Sequence, residues 1–160
     1  MAKVETAERV AEYPPGLART MVVTAAIIAA MLQLIDSSIV NVSLREIAGS
    51  IGATTTEIAW VVTAYAVSNV IMIPLAGMFS DLFGRRNYFT ASIIIFTVAS
   101  AFCGMSHSLN EIILWRFVQG LGGGGLLTSA QTIIVGAYPP EKISMANAIF
   151  GMGVMIGPTL

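Results

Sequence analysis

Four long apolar stretches alternate with short polar connections along this chain: roughly residues 20–44, 58–79, 88–105 and 112–138. A fifth begins near Ile143 and is still apolar at Leu160. Each complete stretch is near or above the ~18 residues that a helix needs to cross the hydrocarbon core of a bilayer. The pattern predicts an all-α integral membrane bundle, with four transmembrane helices and part of a fifth within residues 20–160. Residues 1–19 read as a polar tail: Lys3, Glu5, Glu8, Arg9 and Glu12 precede Pro14-Pro15-Gly16. A span that stopped unfinished would leave carbonyl groups in hydrocarbon unless other protein covered them. The expectation is therefore an amino-terminal piece of a longer protein, whose further helices complete the bundle.

Charge gives the spans a direction. Lys3, Arg9, Arg19, Arg85, Arg86 and Lys142 fall on one side of the predicted membrane, against Arg45 alone on the other. The positive-inside rule then places the amino terminus in the cytoplasm; the expected location is the cytoplasmic membrane. Trp60 and Trp115 fall at the outer interface, where aromatic anchors gather.

Composition narrows the function classes. The chain is 56% hydrophobic and 11% charged, with a mean hydropathy of +0.81, which a soluble domain of this length does not tolerate. A net charge of -1 supplies no basic field, so no nucleic-acid partner is expected. Cys103 is the one cysteine and excludes an intrachain disulfide; a cysteine-based metal site is not expected. His107 stands alone in a short loop, and no nucleophile–base set appears, so neither an enzyme nor a cofactor is expected. The first apolar run is too long for a cleaved signal peptide.

Against that background one side chain stands out. Asp36 sits inside an otherwise uncharged span, where a carboxylate costs at least ~2.5–3.5 kcal/mol on insertion scales. It is tolerated where a partner or a water-filled cavity receives it, so Asp36 is the candidate proton carrier of a polar route. At 100° per residue Gln33, Asp36, Ser37 and Asn41 share an arc of roughly 140°. Arg116, just inside the fourth span, lies at a depth within about 5 Å of Asp36. The expected arrangement is a pair in which Arg116 sets when Asp36 holds its proton; the alternative has Arg116 snorkelling to the interface. Gln33, Asn41 and Tyr65 are candidate polar contacts of a substrate cavity.

Glycines mark where helices approach. The fourth span carries Gly120-Leu-Gly-Gly-Gly-Gly125, with Gly120, Gly123 and Gly124 as the packing positions. Such runs permit close helix contact in lipid and weaken the helix locally. A phosphate-binding loop is the rival reading, but no strand precedes the run and no Lys-Ser/Thr follows it. Gly153-x-x-x-Gly157-Pro158 places a kink in the fifth span. The connection from Gly77 to Arg86 holds Asp81, Gly84, Arg85 and Arg86, a candidate cytoplasmic latch.

Four stretches together resemble the major facilitator superfamily. Gly77, Asp81, Gly84, Arg85 and Arg86 match its signature loop, with Phe79 and Leu82 as departures. Arg116, Gln119 and Gly120 match the R-x-x-q-G motif of the fourth helix, and Gly153, Gly157 and Pro158 the opening of the antiporter motif. The stretch 34–44 resembles the first-helix motif of the fourteen-helix drug:proton antiporters, the EmrB/QacA-like group, except that Arg45 replaces proline. The resemblance implies paired six-helix bundles that rock around a central site, with proton coupling at Asp36 modulated by Arg116. It implies gating by Asp81, Arg85 and Arg86, pliability at Gly157-Pro158, and efflux of hydrophobic or cationic compounds driven by the proton gradient. It also implies, for some relatives, docking onto a periplasmic adaptor and an outer-membrane channel. A metabolite exporter, a symporter and a short structural membrane subunit are the competing readings.

Overall fold

The computed structural model describes residues 16–156. Gly157, Pro158 and the tail charges Lys3, Glu5, Glu8, Arg9 and Glu12 lie outside the described residues. The described chain is helical throughout: α1 (Gly16–Ile51), α2 (Thr55–Phe83), α3 (Arg85–Met105), α4 (Leu109–Gly123), α5 (Leu126–Gly136), a 3-10 turn (Pro140–Lys142) and α6 (Ile143–Ile156). α4 lies between α2 and α3, while α1 lies chiefly against α5 and α6. Three helices among the described residues are long and apolar enough to cross a membrane: Gly16–Ser43 within α1, Thr56–Phe83 within α2, and α3. Large apolar side chains, Val70, Ile73 and Ile94 among them, are exposed on their surfaces.

α1 runs beyond its predicted end. No proline stops it at Arg45, and Ile47, Ala48 and Ile51 pack on Ile58, Val61 and Ile112, so the extension gains apolar contacts of its own. Gly52, at φ 71, then turns the chain. α2 starts earlier than its apolar run because Thr54 and Glu57 form a capping box. The Thr54 backbone N–H donates to Glu57 Oε2 at 2.8 Å, and the Glu57 N–H donates to Thr54 Oγ1 at 3.3 Å. Ser108 caps α4 by accepting from the Glu111 N–H at 3.4 Å, while the return bond comes from one residue earlier: the His107 N–H donates to Glu111 Oε2 at 2.9 Å. That backbone hydrogen bond holds the Glu111 carboxyl below the usual carboxylate range.

The fourth predicted span, 112–138, is not one rod. It divides into α4 and α5 at Gly124-Gly125, and neither segment of 15 or 11 residues would cross the core by itself. Both glycines keep right-handed conformations, φ -58 and φ -99, so the path bends instead of reversing. The bend falls where neighbours press in. A Cβ on Gly124 would stand 2.7 Å from Met72 Cβ and 2.8 Å from the Asn69 carbonyl, and one on Gly125 would collide with the Tyr88 hydroxyl.

Close approach continues along α4. A Cβ on Gly120 would overlap Ser68 Oγ and stand 2.6 Å from the Tyr65 carbonyl oxygen; one on Gly122 would lie 2.7 Å from the Phe96 nitrogen. The Tyr65 carbonyl and the Phe96 nitrogen are backbone obstacles that cannot swing aside. Gly123 is looser, 3.1 Å from the Tyr65 hydroxyl. On α6, a Cβ on Gly153 would meet Ile27 Cγ2 at 2.6 Å, which sets the contact of α6 with α1. Gly77 differs, with nothing within 4 Å of the position a Cβ would take. Gly120→Ala is therefore expected to lower stability by about 1–3 kcal/mol through overpacking. Gly77→Ala is expected to be neutral or stabilising by up to ~1 kcal/mol through helix propensity. Thermal unfolding of the two variants in one detergent checks the contrast.

Candidate functional site

Three helices converge on one carboxylate. Asp36 lies midway along α1, Ser100 in the second half of α3, and Arg116 in the second turn of α4. Arg116 Nη1 donates to Asp36 Oδ2 at 2.7 Å, and Ser100 Oγ donates to Asp36 Oδ1 at 3.3 Å. The arginine and aspartate side chains are only 8% and 16% exposed, so the pair is inside the bundle and Arg116 does not snorkel. Its guanidinium carbon also stands 5.9 Å from the centroid of the Tyr65 ring, within cation–π reach. At the short distance of a charge-assisted hydrogen bond, the two ions offset each other's burial cost.

Beside the pair is a cavity of about 50 Å³, lined by Ser37, Val40, Asn41, Val61, Val62, Tyr65 and Arg116. A water needs ~10–15 Å³ of such space and two or more polar partners, so a few waters fit between Asn41, Tyr65 and Arg116. Asn41 and Tyr65, singled out in the sequence, thus meet on one cavity. Gln33 does not line it. Its backbone oxygen accepts from Ser37 Oγ at 3.1 Å, and its side-chain Oε1 is buried with no hydrogen-bond partner among the described residues.

The polar set on α4 extends beyond Arg116. Gln119, fully buried one turn after Arg116, accepts from Cys103 Sγ at 3.8 Å and leaves its Nε2 without a protein partner. Ser100 and Cys103 were not among the predicted site residues. Ser100 lies a few residues from the end of its span, as Arg116 does, and comparison of depths across three spans was the signal that could have found it.

At the opposite end of the bundle, the predicted latch residues do not pair with each other. Asp81, Arg85 and Arg86 are all exposed, and no ion pair joins them among the described residues. Gly77, Asp81 and Arg85 instead line a second cavity of about 150 Å³ with Ser80, Thr128, Ser129 and Thr132; Arg86 is outside it. Gly84 forms the joint between α2 and α3 at φ 83, a left-handed conformation that favours glycine. Arg85 Nη1 comes within 3.7 Å of a Cβ position on Gly136, at the carboxyl end of α5, where the helix dipole favours a cation. Trp60 and Trp115 sit at the end that holds the α1 terminus; Trp60 is exposed, while Trp115 stacks on Phe102 with ring centroids 4.4 Å apart.

Comparison with known proteins gives this geometry a setting. The family model described as Major Facilitator Superfamily matches residues 26–160. The chain is 34% identical over 151 residues to the fatty acid resistance protein FarB of Neisseria gonorrhoeae, covering 93% of this chain and 30% of that protein. It is 38% identical over 142 residues to the multidrug export protein EmrB of Escherichia coli, covering 88% of this chain and 28% of that protein. The chain thus spans under a third of the length of these curated relatives. Its fold matches the crystal structure of a bacterial homolog of the human lysosomal transporter Spinster, in an inward-facing and unoccupied conformation. The TM-score is 0.79 at 26% identity, over 90% of this chain and 30% of that one. With a family match across most of its length and the helices to fit it, this multi-pass membrane chain belongs to the major facilitator superfamily.

Proposed function

We propose that this chain forms the first helices of a proton-coupled exporter that moves hydrophobic or cationic compounds out across the cytoplasmic membrane. The observation that carries the reading is the Asp36–Arg116 pair, held inside the bundle at 2.7 Å, with a small cavity bordering it on the Arg116 side. A carboxylate with a counter-charge and an approach for water can take up and release a proton, where one pressed against acyl chains could not. Names of relatives add support for export: one is a multidrug export protein and another a fatty acid resistance protein.

The proposed cycle is alternating access, with this bundle rocking against further helices of the same protein. Proton binding at Asp36 favours one orientation and substrate binding the other. Asp81, Arg85 and Arg86 are the proposed cytoplasmic latch, and the amino terminus is proposed to be cytoplasmic. Across 100 mV, one proton supplies about 2.3 kcal/mol. In a two-membrane envelope, a periplasmic adaptor and an outer-membrane channel are the proposed continuation. The test is reconstitution of the complete protein in proteoliposomes with ethidium as the probe. An imposed pH gradient is expected to drive ethidium transport, and an equal rate after the gradient is collapsed would refute coupling.

A further inference from the structure

We propose that Ser100 is a positioning residue that lets Asp36 gain and lose its proton without leaving a carboxyl oxygen unpaired. The inference rests on the proton-coupling reading above. Its basis is the unequal hold on the two oxygens: Oδ2 is taken by Arg116 at 2.7 Å, whereas among the described residues Oδ1 is hydrogen-bonded only by the Ser100 hydroxyl, at 3.3 Å. Protonating Oδ2 would weaken its short charge-assisted contact with the guanidinium, so Oδ2 is the costlier of the two oxygens for the incoming proton. The proton therefore belongs on Oδ1.

A hydroxyl suits that position because it both donates and accepts. With Asp36 ionised, Ser100 donates to Oδ1. A hydronium ion then gives its proton to Oδ1 and leaves as water; the new O–H donates to Ser100 Oγ, and the serine hydrogen turns to the Phe96 carbonyl one turn back. Helical serines make that i−4 bond readily, and Ser37 and Ser68 do so here at 3.1 and 3.0 Å. No bond to Ser100 is made or broken in the exchange; its hydroxyl only rotates. The other titratable groups near the pair are Tyr65 on α2, whose ring faces Arg116, and Cys103 on α3, whose thiol is turned to Gln119. Neither is hydrogen-bonded to the Asp36 carboxyl.

The test separates proton coupling from packing. In proteoliposomes of the complete protein, ethidium movement is measured in two modes: driven by an imposed pH gradient, and as ethidium exchange without one. Ser100→Ala is expected to lose about tenfold in the driven mode, in line with the loss of one hydrogen bond to a charged group, and to keep exchange. Ser100→Thr, which restores the hydroxyl, is expected to recover the driven rate. In infrared difference spectra the protonated Asp36 carbonyl band should shift in Ser100→Ala and return in Ser100→Thr. A driven rate for Ser100→Ala equal to wild type overturns the role, as does loss of both modes without rescue by Ser100→Thr, which marks a packing residue. Asp36→Asn run in parallel keeps the two ideas apart. If it too transports normally, the coupling reading fails; if it alone is inactive, only the assignment of Ser100 fails.

Discussion

Asp36→Asn is expected to reduce pH-driven ethidium transport to the rate of protein-free vesicles, while the protein still inserts and folds. The replacement is close in shape, and its amide oxygen can accept from Arg116 as Oδ2 does at 2.7 Å. What it loses is the ability to bind a proton. Insertion should be unharmed, because an amide costs less in hydrocarbon than a carboxylate. Reconstituted yield and helical content measure the first expectation, and transport under an imposed gradient measures the second. Undiminished transport in this variant would remove Asp36 from the mechanism.

Arg116→Ala is expected to be the more damaging change to the fold, by about 3–5 kcal/mol. It strips the counter-charge from a carboxylate that is only 16% exposed, and the Ser100 hydroxyl at 3.3 Å is a weak substitute. It also removes a side chain that reaches the Tyr65 ring and one wall of the 50 Å³ cavity. Thermal unfolding in detergent reads the loss. The paired variant Asp36→Asn with Arg116→Gln should recover most of the stability and none of the driven transport, because two neutral amides need no charge partner. If Arg116→Ala unfolds no earlier than wild type, the pair is not a structural tie.

Much of this was legible from the residues. A single acid in an apolar span, a single arginine at similar depth and glycines clustered in the fourth span each pointed to a contact that the structure contains. These signals work because lipid leaves few alternatives: a charge must find a partner, and a backbone must stay hydrogen-bonded. The misses share a cause. The break at Gly124-Gly125 and the extension of α1 past Arg45 depend on which neighbours press on a helix, and hydropathy is blind to neighbours. Ser100 was easy to pass over because serine is common in membrane helices, and only its depth relative to Asp36 and Arg116 sets it apart. Gln33 shared the polar arc yet stands off the cavity, because one helical face meets more than one neighbour.

The pairing of Asp36 with Arg116 has an electrical consequence. With the acid ionised the two cancel, so that in the proposed cycle this part of the bundle would swing through the membrane field without moving net charge. Once protonated, the same spot carries the bare positive charge of the guanidinium. A cationic cargo would then be repelled across the chamber by Coulomb force alone. Proton and cargo would exclude each other by sign, with no need to compete for the same atoms.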